Sequence, residues 1–244
     1  MQSVIDPPTP RLRDFLATNR GGGLYSEAVS QRAGSAIALA GYRLGLPPTA
    51  LSLVNLAFGL GASAVVVALA GRAAAGIVPA WVVGVLALLA WQLAYAFDCA
   101  DGQLARVTGR VSPAGGRLDI LCDIAVQIGL VAALSAVALA YRPGTPAWLA
   151  AVFAGTWMVN LVTSVMQSGP NAASMVTSRS LPVRLVKLVR DYGAVTLLAG
   201  LVLLVVPQWT VVLLWAFTAV NGLFLLASIA FSSRAALQST HDSA

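Results

Sequence analysis

Four aspartates lie within 26 residues of this 244-residue chain, which contains only nine acidic residues in all. Asp98 and Asp101 are three residues apart and Asp119 and Asp123 are four apart, so each pair shares a face if its segment is helical. Long apolar runs flank both pairs, and a charge beside hydrocarbon is costly unless something compensates it. Two helix ends brought together would crowd four carboxylates that cannot all stay ionised without cations.

The chemistry of these side chains favours a hard cation. Carboxylates offer only oxygen ligands, and the one histidine of the chain, His241, lies far along the sequence. Oxygen ligands are typical of Mg²⁺ and Mn²⁺ sites. We therefore predict a metal-dependent active site at the four aspartates.

The elements that carry these aspartates are predicted to be membrane helices. With 58% hydrophobic and 10% charged residues and a mean hydropathy of +0.82, the chain is far more apolar than a soluble domain. Six apolar stretches are each close to the roughly 20 residues that cross hydrocarbon, which predicts an all-α integral membrane protein with six transmembrane helices. The spans are expected at residues 49–70, 77–97, 116–141, 146–167, 191–206 and 208–231.

The N-terminal region is predicted to lie outside the membrane. Residues 1–23 contain three prolines and a glycine run and indicate a mobile tail. Residues 26–45 have apolar side chains at helical spacing, which suits an amphipathic helix in the interfacial plane, although an ordinary packed helix fits as well. We expect a cytoplasmic tail and juxtamembrane helix over residues 1–45, a six-span domain over 46–232, and a cytoplasmic tail over 233–244.

Basic residues predict the orientation. If the N-terminus is cytoplasmic, all 15 Lys and Arg residues except Arg72 and Arg142 lie on the cytoplasmic side of the six spans. The net charge of +6 does not indicate nucleic-acid binding, because the basic residues cluster in loops beside apolar spans, where they can contact anionic lipid head groups. The pattern indicates a multi-pass protein of the cell membrane with both termini and the aspartates at the cytoplasmic face.

The spacing of the aspartates also resembles a known signature. Eight residues at fixed separations resemble the motif of the CDP-alcohol phosphotransferase family: Asp98, Asp101, Gly102, Ala105, Arg106, Gly115, Asp119 and Asp123. The resemblance implies membrane enzymes, expected to be homodimers, that join a CDP-linked donor to an alcohol and release CMP. Many relatives carry Thr-Pro-Asn before the first span, whereas this chain has Thr49 where the asparagine is expected.

The resemblance also implies roles for individual residues. Asp98, Asp101 and Asp119 are expected to ligate metal, with two ions in the site. Asp123 is expected to be the general base for the acceptor hydroxyl and a ligand of the second ion. The remaining motif residues are expected at the nucleotide: Gly102 and Ala105 leave space for it, Arg106 neutralises a phosphate or binds cytidine, and Gly115 lets the chain turn back.

The leading interpretation is phosphatidyl transfer from CDP-diacylglycerol to a polar alcohol, phosphorylated or not, in phospholipid biosynthesis. One alternative keeps the reaction but uses a soluble CDP-alcohol donor and a lipid acceptor. Another is a divalent-cation transporter, which predicts ionisable groups at several depths, whereas here they concentrate at one side. Asp191 is left open between pairing with an arginine and holding an acceptor hydroxyl. Cationic candidates for a phosphorylated acceptor, whose alternative role is to set topology, are Arg117, Arg179, Arg184, Lys187 and Arg190.

Overall fold

The computed structural model describes residues 9–19, 23–166 and 191–241. These residues form helices and connecting turns, with no β-strand among them. A short helix α1 (Leu12–Ala17) and a π-helical turn (Ser26–Ser30) precede α2 (Gln31–Arg43). The apolar helices that follow are α3 (Pro48–Ala74), α4 (Ala80–Val107), α5 (Pro113–Tyr141), α6 (Ala147–Met166), α7 (Tyr192–Val205) and α8 (Thr210–His241).

The sharpest connection joins α4 to α5 and positions the aspartates. Gly109, with φ of 68°, adopts the left-handed conformation that follows the end of α4. Ser112 then caps α5 by accepting the N–H of Gly115 at 3.0 Å, and Pro113 occupies the first helical position. The last turns of α4 and the first turns of α5 therefore lie at the same end of the bundle.

The apolar helices fit a membrane protein. In the described part of the chain, four stretches are long and apolar enough to cross a bilayer: Pro48–Ala74, Ala80–Val107, Pro113–Tyr141 and Pro207–Arg234. Helix α7 is apolar but shorter, as is the Ala147–Val159 part of α6. The prediction of an all-helical protein with membrane-spanning helices is thus confirmed for the described residues as far as four candidate spans, and the count of six crossings stays a prediction.

Close helix packing builds the core. Helix α3 packs against α4 and α5, α4 against α7, and α6 against α8. Trp91, Leu134 and Phe153 belong to the largest buried cluster. A Cβ on Gly84 of α4 would lie only 2.3 Å from the Cα of Leu204, so the backbones of α4 and α7 almost touch.

The N-terminal region is more ordered than its composition predicts. Phe15 of α1 is fully buried, and Gln103 of α4 donates hydrogen bonds to the Asn19 side chain at 2.6 Å and to the Gln31 carbonyl at 3.0 Å. A Cβ on Gly34 of α2 would lie 3.0 Å from a backbone oxygen of α4. The prediction of a mobile tail is therefore wrong for residues 9–19. The interfacial position of α2 stays a prediction.

Candidate active site

The motif aspartates converge where α4 ends and α5 begins. One side-chain oxygen from each of Asp98, Asp119 and Asp123 lies within 4.8 Å of the others. Asp98 and Asp123 approach each other closely enough to share a hydrogen bond if one of them is protonated. Asp101 lies beside Asp119 in the same way. The two helix ends thus bring all four carboxylates together, three of them in one tight group.

Helix α3 supplies hydrogen-bond donors to the two aspartates of α4. The Ser52 hydroxyl donates to Oδ2 of Asp101, and the Asn55 amide donates to Oδ1 of Asp98 at 3.4 Å. Ser52 and Asn55 are three residues apart and therefore share a face of α3. Both side chains are buried, as is Asp101. These contacts orient the carboxylates of Asp98 and Asp101.

The three-carboxylate group fits a divalent cation. Hard cations bind carboxylate oxygens at about 2.0–2.6 Å, so two ligands of one ion are separated by no more than about 5 Å. The 4.8 Å limit for Asp98, Asp119 and Asp123 falls inside that range. Oδ1 of Asp119 is also buried and accepts no hydrogen bond from the described residues. A buried carboxylate oxygen without a donor is costly unless a cation neutralises it.

A cleft of about 300 Å³ opens beside the aspartates. We call it the motif cleft because its walls include the four non-acidic motif residues, Gly102, Ala105, Arg106 and Gly115, together with Asp101 and Asp119. Its walls come from α3, α4, the α4–α5 connection and α5. The structure thus brings the predicted nucleotide contacts to one side of the carboxylates.

The immediate surroundings of the motif glycines explain why these positions have no side chain. A Cβ on Gly102 would lie 2.9 Å from Nη1 of Arg106, so the missing side chain makes room for that guanidinium. Arg106 in turn lies close enough to Asp119 for electrostatic attraction. Gly115 belongs to the first turn of α5, so the reversal of the chain is made by Gly109 instead. The space predicted over Gly102 is therefore shared with Arg106.

Some residues of the site were not predicted from the motif. Ser52 and Arg110 line the motif cleft, and Thr49, where many relatives carry asparagine, lies there as well. The sequence feature that could have indicated Ser52 is a pair of polar residues, Ser52 and Asn55, within an otherwise apolar stretch. Arg117 is exposed and lies outside the cleft walls that the structure describes. The other predicted acceptor-binding cations lie outside the described residues: Arg179, Arg184, Lys187 and Arg190.

Comparison with known families agrees with this geometry. A family model described as CDP-alcohol phosphatidyltransferase matches residues 46–229, well over half of the chain. No curated protein matches the chain. The matched region contains the four aspartates, the motif cleft and the apolar helices, apart from the last turns of α8. The chain therefore belongs to the CDP-alcohol phosphatidyltransferase family, a family of transferases that fits the membrane architecture.

Proposed function

We propose that this protein transfers a phosphatidyl group from CDP-diacylglycerol to a polar alcohol and releases CMP. The observation that carries the proposal is the convergence of Asp98, Asp119 and Asp123 beside the motif cleft. Family membership supports membrane phosphatidyl transfer as the reaction class. The choice of CDP-diacylglycerol as donor and of a polar alcohol as acceptor is our own.

The donor nucleotide is proposed to bind in the motif cleft. Arg106 and Arg110 give the cleft positive charge, which suits the diphosphate of a CDP-linked lipid. Gly102 has no side chain and Ala105 has a small one, so the part of α4 between the two arginines and Asp101 leaves space in the cleft. The diacylglycerol part of the donor would remain in the membrane, beside the apolar outer faces of the helices.

The metal ligands are proposed to be Asp98, Asp101, Asp119 and Asp123. The first ion would bind the three-carboxylate group, and Asp101 with Asp119 would bind a second ion at the edge of the cleft. Bound Mg²⁺ or Mn²⁺ would neutralise the diphosphate and stabilise CMP as the leaving group. The identity of the ions is part of the proposal.

Asp123 is proposed to receive the proton of the acceptor hydroxyl. The bond from the acceptor oxygen to the phosphatidyl phosphorus forms while the bond from that phosphorus to the CMP oxygen breaks. Such a displacement needs the nucleophile opposite the leaving group. Asp123 contacts Asp98 and is absent from the walls described for the motif cleft, which supports an acceptor that arrives from the other side of the carboxylates.

The site is proposed to face the cytoplasm, with both termini on that side and a homodimer as the working unit. The basic residues motivate the orientation, and the family resemblance motivates the dimer. Accessibility of single cysteines introduced at Thr108 and Gly144 to a membrane-impermeant thiol reagent tests the orientation. Labelling of the α4–α5 connection only from the cytoplasmic side is the expected result.

The transfer reaction is tested by CMP release from purified protein. CDP-diacylglycerol is offered with Mg²⁺ or Mn²⁺ and a panel of alcohols that includes glycerol 3-phosphate and inositol phosphate, and a soluble CDP-alcohol with diacylglycerol is offered in parallel. We expect CMP from the first combination and its loss in Asp98→Asn and Asp123→Asn. The matched control is Asp14→Asn, an exposed aspartate of α1.

Three outcomes would contradict the proposal. Full activity in both aspartate variants removes the carboxylates from the chemistry. CMP formed only from the soluble CDP-alcohol would mean that the lipid is the acceptor and not the donor. Divalent-cation flux into proteoliposomes without any CMP release favours a transporter.

A further inference from the structure

Asp191 is a buried carboxylate outside the motif, and its partners join two distant parts of the chain. It is 4% exposed and lies directly before α7. Its Oδ2 accepts the backbone N–H groups of Tyr25 at 2.9 Å and Ser26 at 3.0 Å. Its Oδ1 accepts the Ser26 hydroxyl and the N–H of Gly193 at 3.2 Å. A Cβ on Gly23 would lie 2.3 Å from Oδ2, so the chain wraps tightly around this carboxylate.

A second set of hydrogen bonds ties residues 23–26, which we call the N-terminal turn, to α4. The Tyr25 hydroxyl donates to Oε1 of Gln92 at 2.9 Å, and the Gln92 amide donates to the Gly193 carbonyl at 3.1 Å and to Oγ1 of Thr196 at 3.0 Å. Burial, and then the charge of Asp191, raise the pKa of Tyr25, so its hydroxyl stays protonated as a donor. The N-terminal turn, α4 and α7 are thus held at one junction.

This junction extends to the carboxylates. The Tyr95 hydroxyl lies 2.9 Å from Oγ of Ser26, and the Tyr95 ring packs edge-on against Tyr192 with the ring centroids 5.1 Å apart. Tyr192 follows Asp191 directly and lies within electrostatic reach of Asp123 and Asp98. The junction therefore lies at the Asp98 and Asp123 side of the site.

The motif cleft lies at the other side. Its walls contain Asp101 and Asp119, and they come from α3, α4, α5 and the α4–α5 connection. Neither α7 nor the N-terminal turn contributes to the walls described for it. A change at Asp191 should therefore affect the acceptor side of the site and leave the donor side as it is.

We propose that Asp191 is a positioning residue for the acceptor, because it holds Tyr192 beside Asp123 through the hydrogen bonds of the N-terminal turn. The inference rests on the proposed function, since it assigns the Tyr192 side of the carboxylates to the acceptor alcohol. Asp191 itself contacts neither substrate. Among the described residues, its hydrogen-bond donors are the backbone N–H groups of Tyr25, Ser26 and Gly193 and the Ser26 hydroxyl.

The test is Asp191→Asn with steady-state CMP release measured while donor and acceptor are varied separately. An asparagine has one acceptor oxygen, so its NH₂ group faces either the N–H groups of Tyr25 and Ser26 or the N–H of Gly193, and at least one backbone N–H loses its acceptor. The acceptor is glycerol 3-phosphate or inositol phosphate, whichever reacts faster with the wild type. We expect its kcat/KM to fall about 10-fold because its KM rises. A change of about 10-fold corresponds to the loss of one hydrogen bond to a charged group. The KM for CDP-diacylglycerol should not change.

Two further variants keep the test decisive if Asp191→Asn does not fold. Ser26→Ala removes the hydroxyl between Asp191 and Tyr95 and should raise the acceptor KM less. Tyr192→Phe removes a hydroxyl whose ring lies within electrostatic reach of Asp123, and it should also raise the acceptor KM without lowering the melting temperature. Gly222→Ala is the matched control, because a Cβ there meets no atom within 4 Å.

The outcomes separate this inference from the proposed function. An active wild type whose variants keep the wild-type acceptor KM overturns the positioning role of Asp191. A fall in kcat for every substrate with both KM values unchanged indicates loss of folded protein and overturns it too. A wild type that releases no CMP with any acceptor overturns the proposed function, and the inference falls with it.

Discussion

Replacement of Ser52 by alanine tests how strongly the site depends on the orientation of one aspartate. Ser52 is 4% exposed, and its hydroxyl donates to Asp101, which is 5% exposed. The variant removes one oxygen atom and leaves the Asp101 carboxylate with one donor fewer. Because α3 is otherwise unchanged, the effect should be confined to that carboxylate.

The size of the effect follows from the chemistry of the lost bond. A hydrogen bond to a charged group contributes about 1.5–3 kcal/mol. If this energy is lost in the transition state, kcat/KM falls by about 10- to 150-fold. The backbone N–H of Gly102 also faces Asp101, and the cleft admits water, so we expect the low end, about 10-fold.

The assay is CMP release from CDP-diacylglycerol with a titration of Mg²⁺, and the chain offers a matched control. Ser63 is also a buried serine of α3, and its hydroxyl accepts from Trp91 at 3.1 Å and donates to the Gly59 carbonyl at 2.8 Å. Ser63→Ala should lower the melting temperature without lowering activity per folded molecule. Ser52→Thr, which keeps the hydroxyl, should restore most of the activity.

Two results would refute this reasoning about Ser52. Wild-type activity and wild-type Mg²⁺ half-saturation in Ser52→Ala would mean that the Asp101 carboxylate does not need the bond. An equal loss in Ser63→Ala would mean that the effect is a general weakening of α3.

Three further predictions concern the binding of CDP-diacylglycerol, the hydrogen bond from Asn55 to Asp98, and the packing of α4 against α7. Arg106→Ala should raise the KM for CDP-diacylglycerol about 10-fold or more, as expected for a lost charge-assisted contact, and an unchanged donor KM would place the diphosphate elsewhere. Asn55→Ala should lower kcat/KM about 3-fold, less than the serine variant, because its bond to Asp98 is 3.4 Å long, and a larger loss would reverse that ranking. Gly84→Ala should destabilise the protein by about 1–3 kcal/mol in a thermal unfolding assay, because its Cβ meets backbone, whereas Gly222→Ala should be neutral or stabilising.

The sequence was sufficient for the features that depend on local pattern. Apolar run length indicated all six apolar helices that the structure describes after residue 47, because burial in hydrocarbon demands continuous apolar residues. The spacing of Asp98, Asp101, Asp119 and Asp123 predicted their convergence, since i+3 and i+4 positions share a helix face. The helix ends agree within a few residues, except that α4 continues to Val107 and α8 to His241, each ten residues beyond the end of its predicted span.

Long-range contacts were not available from the pattern. Phe15 is buried only because α1 folds back onto α2 and α4, and nothing in the composition of residues 1–23 signals that packing. Ser52 and Asp191 act through partners 49 and 165 residues away, Asp101 and Ser26. Sequence spacing carries no information on such pairs. The sequence analysis assigned the turn to Gly115, whereas the structure has it at Gly109. Both glycines fit the local turn pattern, so the sequence alone could not distinguish them.

The central claim is that Asp98, Asp119 and Asp123 converge to hold a divalent ion at the diphosphate of the donor. The most direct test is Mn²⁺ binding by purified protein, followed by electron paramagnetic resonance with and without CDP, in wild type and in Asp119→Asn. We expect the wild type to bind Mn²⁺ more tightly when CDP is present, and the variant to lose both the binding and its dependence on CDP. Unaltered Mn²⁺ binding in Asp119→Asn, with the same response to CDP, would contradict the claim.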